Sequence, residues 1–443
     1  MESLWESFGF RENPYATVPI SPTAEGERLL VGRGRELHRL LRDLASLDTH
    51  VTIEGDNGVG KTSLVAVSSY LAQQDFLAGR ASTYLIPMPE PFQLTAEETT
   101  EDLVRRVYRA VAREYIDAYG NIEEARLRVP ERGTLNEVKK WLDSPTLQSI
   151  GGGFSLLGSG ASASAGSSLN TSDGFAEQGF RQLVDGWLRL TFPNRSKGGF
   201  VCVLDNLELL ETSKRARTML ESLRDTVLGR PGLIWVLCGA RGIMRSSASS
   251  PRLAARLAQP IELEPIPDAL VTEVVERRIE AYRVSDSVYV PVDAAGFEWL
   301  YDLVNRNLRS ALSYCQQFAG YVHDLDPRPI IAEDRLKCLK TWFGEMAHRY
   351  AADAASSALT PRPWKLFDDL CAHGGSCSPG DFAAYGFNSP EAMRPQVKSL
   401  EDANLLSSTI DDDDKRRKTI ALTSVGWLVR YARTTLDNSS GPG

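Results

Sequence analysis

The chain has 443 residues, 42% of them hydrophobic and 24% charged, with a net charge of −8. That length holds two or three domains with buried cores and ordinary globular composition, and no apolar run is long enough to span a membrane. The acidic total excludes a whole-chain nucleic-acid binder, although a local basic face could exist. Six cysteines lack framework spacing, and the opening MESLWESFGFRENPY lacks a basic-then-apolar leader. A cytoplasmic protein with reduced thiols is expected.

In chain order, the first periodic element is LLVGRGRELHRLLRDL, where Leu37, Leu40, Leu41 and Leu44 share one face of a helix. HVTIEG then reads as a short strand. It leads into Gly55, Asp56, Asn57, Gly58, Val59, Gly60, Lys61 and Thr62, followed by Ser63 and an amphipathic helix. This is the phosphate loop G-x-x-x-x-G-K-T in its strand-to-helix setting. Glycines let successive backbone N–H groups curl toward phosphates. Lys61 is suited to the β- and γ-phosphates and Thr62 to a magnesium ion, with the dipole of the helix N-terminus adding to the attraction. ATP and Mg2+ are therefore the expected ligands.

The stretch 94–195 is longer than a minimal core needs. Residues 96–118 and 175–190 read as amphipathic helices. Between them the Gly/Ser-rich segment 151–170 fits a flexible linker by composition and a small-residue hairpin by alternation, and both readings stay open. GFVCVLDN and GLIWVLCGARG are continuous apolar runs, as in strands covered on both faces of a parallel sheet. The first ends in Asp205, the expected second magnesium residue; the second ends near Arg241. The expected fold class is α/β: a phosphate-loop core with a parallel sheet over 1–265, a stretch over 266–355 that is helical by periodicity and resembles a helical lid, and a stretch over 356–443 that resembles a winged-helix domain.

In that last stretch PRPWKLFDDLCAHG, SPGDFAAYGF and SPEAMRPQVKSLEDANLL read as helices, the latter two opened by Ser-Pro. LLSSTIDDDDKRRKTIALT reads as a hairpin with a charged tip, and VGWLVRYARTTL as a closing helix. Residues 361–443 hold 10 Lys/Arg and 11 Asp/Glu, a net of −1, so this domain is a poor non-specific phosphate binder despite Arg394 and Lys398 on its third helix. Cys371, His373 and Cys377 in CAHGGSC match no common zinc spacing.

Several of these motifs resemble the AAA+ and STAND ATPases. VGRGREL, with Arg33, resembles the segment those proteins place against the adenine. FGFRENPY resembles the opening of origin-recognition-like AAA+ ATPases. The arginine of GAR, Arg241, resembles the STAND sensor arginine. NRNLRSAL resembles the lid motif that sets an arginine on the γ-phosphate, which implies Arg309, with Arg306 as the fallback. The resemblance implies a ring or filament in which Arg245, Arg252 or Arg256 reaches a neighbour's site.

Asn206 stands where a glutamate usually polarises the attacking water. An amide can orient water but cannot take its proton. The sequence resembles the LDN-x-E form of STAND regulators, in which Glu208 would serve, and slow hydrolysis is expected. Three functions follow. One is an ATP-driven switch that assembles with itself or a protein partner, in bacterial signalling or defence against phage. Another is a DNA-associated ATPase resembling origin-recognition or transposition-regulator proteins. The third is a non-hydrolysing scaffold with ATP as a structural ligand.

Overall fold

The computed structural model describes residues 3–46, 48–94, 98–143, 148–149, 166–167, 175–207, 213–240, 244, 252–356, 359–411 and 417–439. The apolar runs of the first half form a parallel sheet of β1 (Val51–Gly55), β2 (Tyr84–Pro87), β3 (Phe92–Gln93), β6 (Gly198–Asp205), β7 (Leu233–Gly239) and β8 (Ile261–Leu263). Its order is β2–β6–β7–β1–β8, with β3 also paired to β6. Between β3 and β6, the two-residue strands β4 (Gln148–Ser149) and β5 (Gly166–Ser167) pair antiparallel. This pairs two residues just ahead of the Gly/Ser-rich segment with two inside it, and the segment's residues 151–165 and 168–170 lie outside the described residues.

The helices of this half are α1 (Ala24–Leu29), α2 (Gly34–Ser46), α3 (Lys61–Leu77), α4 (Thr100–Asp117), α5 (Tyr119–Glu124), α6 (Arg132–Asp143), α7 (Phe175–Thr191) and α8 (Ser213–Leu223). They cover the sheet on both faces, so its strands must be apolar in both directions. In β6, Phe200, Cys202 and Leu204 join one core with residues of α4, α7 and α8. Val201 and Val203 join the other, with Leu40, Leu44, Leu64 and Val65 of α2 and α3. The alternation of a strand then carries Asp205 to the α3 face. The stretch 94–195, which looks dispensable by length, supplies α4 and α7 as part of the layer over one face. Each of their fully buried Leu, Val or aromatic side chains contributes about 1.5–3 kcal/mol.

The second half begins with α9 (Asp268–Tyr282), α10 (Ala294–Leu303), α11 (Leu308–His323) and α12 (Ala332–Ser356), which close around Val275, Phe297, Phe318 and Phe343. The N-terminal segment is strapped onto these helices. Phe8 and Phe10 pack with Ala319. Tyr15 is fully buried among the helices; its hydroxyl donates to the Val292 carbonyl at 2.7 Å and accepts from the Val292 N–H at 3.1 Å. FGFRENPY thus belongs physically to the helical half, although the sheet follows it in sequence.

The C-terminal region comprises α13 (Pro361–Ala372), β9 (Ser376–Cys377), a 3-10 turn (Pro379–Tyr385), α14 (Pro390–Asp402), the antiparallel pair β10 (Leu406–Asp411) and β11 (Arg417–Leu422), and α15 (Ser424–Ser439). Both Ser-Pro signals cap as their chemistry dictates. Ser378 forms a reciprocal box with Asp381, and Ser389 Oγ accepts from the Ala392 N–H at 3.3 Å. Cys371 and Cys377 are buried in this region's core, and the His373 ring nitrogen Nδ1 lies 2.7 Å from the Asp369 carbonyl. The closing helix does more than complete this core. Trp427 and Val429 of α15 face it, while Leu428 and Ala432 sit in the core of the helical half. No described helix is long and apolar enough to cross a membrane.

Candidate functional site

The site is built where the C-terminal end of the sheet meets the N-terminus of α3. β1 ends at Gly55, and the loop Asp56–Gly60 turns through left-handed backbone at Gly58 (φ 83°) and Gly60 (φ 102°). Gly60 is required by the motif; Gly58 occupies one of its free positions. Gly58 is explained by its neighbours. A Cβ there would stand 2.8 Å from Arg309 Cβ and 2.8 Å from Asn307 Oδ1, so the start of α11 is seated directly on the loop. Asn307 completes the contact, donating from Nδ2 to the Asn57 carbonyl at 2.8 Å while its Oδ1 caps α11 at the Ser310 N–H.

Lys61 is 6% exposed, and its ammonium donates to the Gly55 and Asp56 carbonyls at 2.9 and 3.2 Å. This bends the side chain back over its own loop. The Thr62 hydroxyl donates to Asp205 Oδ2 at 2.7 Å, and Asp205 Oδ1 accepts from the Asn206 N–H at 2.9 Å. A hydroxyl and a carboxylate converging from two elements form a hard oxygen pair of the kind magnesium takes. These two residues would hold it, and the ion would neutralise phosphate charge there. Ser63 Oγ accepts from the Ile20 N–H at 3.0 Å, which ties the N-terminal strap to the first turn of α3.

The strand β6 stops at Asp205, and Asn206 takes φ 62°. Left-handed backbone costs an ordinary side chain roughly 1–2 kcal/mol, and asparagine is among the few that tolerate it. Asparagine therefore has a conformational reason to be here, independent of any water it could orient. The regular alternation of β6 ends at Asp205, one residue before Asn206. Glu208, Arg241 and Arg245 lie outside the described residues.

The lid arginines are separated clearly. Asn305 and Arg306 both have left-handed backbone, and this tight turn sends the Arg306 guanidinium out to Asp268 at 2.7 Å. Arg309 lines the same cavity as Gly58, Lys61, Thr62, Asp205 and Asn206. Arg33 goes elsewhere. It is 4% exposed and donates to the Glu264 and Val59 carbonyls at 2.6 and 2.9 Å, bracing the phosphate loop from behind; burial lowers its pKa. Arg252 and Arg256 are exposed in the connection leading to β8.

Two contributors are not singled out by the motifs. One is the strap, whose Ala16, Thr17, Val18 and Pro19 form a wall of the cavity. The other is Arg278 of α9, also a lining residue and 6% exposed. A signal for it exists in the sequence. Val271, Val274, Val275 and Arg278 fall at helical spacing, so an arginine occupies a position on the apolar stripe.

Phosphate loop, aspartate-tipped neighbouring strand and overlying helices define an α/β phosphate-loop nucleotide-binding core with a helical lid, the architecture that the AAA+ resemblance implies. No family model matches the sequence, and no curated protein matches it. Among solved structures the chain is similar to the Aeropyrum pernix ORC1 protein in complex with DNA (TM-score 0.47, 14% identity, 99% of this chain and 100% of that one). It is also similar to the ORC2 protein of that organism in its ADPNP–ADP complexes (0.48, 12%, 98% and 100%). The Walker-type ATPase paby2304 of Pyrococcus abyssi is a further match (0.44, 15%, 94% and 99%). These likenesses run nearly the full length of the chain at low identity.

Proposed function

We propose that the protein is an ATP-binding, slowly hydrolysing switch of the AAA+/STAND kind, with its core in 1–265, its lid in 266–355 and a winged helix in 356–443. The observation that carries this is the single cavity where Lys61, the Thr62–Asp205 pair and the lid's Arg309 meet. Lys61 exchanges its loop carbonyls for the β- and γ-phosphates. Thr62 and Asp205 hold the magnesium. Arg309, set at the loop apex by Asn307, reads the γ-phosphate and so reports ATP against ADP to the lid. Phosphoryl transfer depends mostly on positioning and charge stabilisation, so a site with Asn206 beside the aspartate turns over slowly instead of not at all. Glu208 and Arg241 are assigned supporting roles from the sequence resemblance.

An arginine supplied by a neighbouring copy or a protein partner would accelerate this; Arg252 and Arg256 are exposed and suited to it. Bacterial signalling or anti-phage defence is the setting suggested by the STAND resemblance. The test is particle mass and ATP turnover with ATP, ADP and no nucleotide. Nucleotide-dependent assembly with faster turnover supports the switch. Binding without turnover in any assembly state replaces it with an ATP-dependent scaffold.

A DNA-associated ATPase is the second reading, favoured by Arg394 and Lys398, which stand exposed one turn apart on α14. The balance of 10 Lys/Arg to 11 Asp/Glu in 361–443 argues against a strong electrostatic contribution. A steep salt dependence of duplex DNA binding by the full chain would raise this reading above the first.

A further inference from the structure

Arg278 lines the cavity, and the phosphate-loop chemistry does not use it. Its neighbours on the stripe are core valines, and it is 6% exposed. Its Nη1 donates to the Ala16 carbonyl at 2.8 Å and lies 3.5 Å from that of Pro14. Its Nε is buried without a hydrogen-bond partner among the described residues. Desolvation lowers its pKa. A buried guanidinium with an unused donor is costly in a lone chain, because the lost hydration is not replaced. The cost has a rationale if an acceptor arrives from outside the protein, and Arg278 lines the cavity into which one would come.

The strap that Arg278 grips is tied at its other end to Ser63, directly after Thr62 on α3. The lid's Arg309 stands instead at the loop apex over Gly58. The two arginines therefore approach the cavity from different sides. In a phosphate loop the start of the helix and its backbone serve the α- and β-phosphates.

Resting on the nucleotide reading above, we propose that Arg278 is a second ligand-binding arginine of the lid. Its free Nε–H donates to a phosphate or ribose oxygen common to ADP and ATP, while its Nη1 holds strap residues 14–16. Nucleotide binding and strap seating are then one event. Arg309 discriminates between the nucleotides; Arg278 senses that either is present.

The experiment is calorimetric titration of ADP and ATP into the full chain, as the parent, Arg278→Met, Arg278→Lys and Arg309→Ala. A charge-assisted hydrogen bond lost from a buried site lowers affinity by roughly tenfold or more. Arg278→Met and Arg278→Lys should each weaken ADP and ATP alike by about that factor, whereas Arg309→Ala weakens ATP selectively. ADP affinity within twofold of the parent in folded Arg278→Met, even with a lowered apo melting temperature, makes Arg278 a buttress only and overturns the proposal. Full rescue by Arg278→Lys assigns the effect to charge and overturns the Nε–H role. If neither variant folds, amide exchange of residues 14–20 in the parent decides. ADP should slow it, and unchanged exchange at saturating ADP overturns the proposal. A parent that binds neither nucleotide sinks the nucleotide reading itself, a different result from any of these.

Discussion

The sheet-and-loop half and the helical half contribute to one site by different rules. In the first, spacing along the chain determines position. Gly55 to Thr62 is a contiguous run, and Asp205 reaches it because the alternation of β6 turns the last residue toward α3. In the second, neighbouring residues have opposite fates. Arg306 and Arg309 belong to the same short motif, yet one pairs with Asp268 on the surface and the other lines the cavity. A regular strand propagates its phase to its end. A turn with two left-handed residues resets it.

The comparison breaks most severely at Lys61. If the loop carries the phosphate charge, Lys61→Ala should cost about 4 kcal/mol of ATP binding, roughly a thousandfold, in line with truncating a buried charged donor. Titration calorimetry on a folded variant checks this, and parent-like affinity would refute the assignment of the core.

The two halves should also differ in acid. His50 directly precedes β1, with Nε2 at 2.7 Å from the Leu228 carbonyl and Nδ1 accepting from the Trp235 N–H at 3.4 Å. Both contacts suit the neutral Nε2–H tautomer. Burial, with Arg195 adding to it, lowers the pKa of His50 to about 4 from 6.5. The unfolded chain therefore binds this proton first. The stabilisation is fully present above pH 6.5, is lost as pH falls toward 4, and declines no further below that. Its size is on the order of 3 kcal/mol. Urea unfolding of the parent and His50→Phe at pH 7 and 4.5 should show the parent losing stability more steeply; parallel losses would remove His50 as the cause.

Gly58 tests the joint between the halves. Gly58→Ala puts a Cβ into left-handed backbone and 2.8 Å from the lid. We expect a loss of about 2 kcal/mol in nucleotide affinity, with the loop's own residues unchanged. Normal affinity would mean the lid does not seat on the loop when ligand is bound.

Arg309→Ala should reduce the preference for ATP over ADP by about tenfold, or roughly 1.4 kcal/mol, and Arg306→Ala should leave it alone. Competition between labelled ADP and ATP reads this directly, and equal effects from both substitutions would erase the distinction drawn above.

The smallest effect concerns Asn206. At φ 62°, Asn206→Gly should preserve stability, whereas Asn206→Glu should lose about 1 kcal/mol through backbone strain, even though it restores the usual carboxylate. Thermal unfolding separates the two, and a stable Asn206→Glu would show that conformation is not what favours asparagine.

The sequence by itself determined what local periodicity and short motifs encode. Three sheet strands, β1, β6 and β7, were legible as apolar runs because both their faces are covered, whereas the short β2, β3 and β8 were not read from the sequence. The phosphate loop was legible because its glycines, lysine and threonine act within one turn of chain. The helix of Leu37, Leu40, Leu41 and Leu44 was legible from its stripe, and the capped helices of the C-terminal region from their Ser-Pro starts. Tertiary structure alone decided which lid arginine enters the cavity and that Arg33 faces two carbonyls. It also decided that FGFRENPY straps the lid, that α15 joins two cores, and that Gly58 is needed for a contact with residues 307 and 309. These are meetings between segments far apart in the chain. Nothing in the local pattern of either segment records the other, and only packing brings their side chains to the same point.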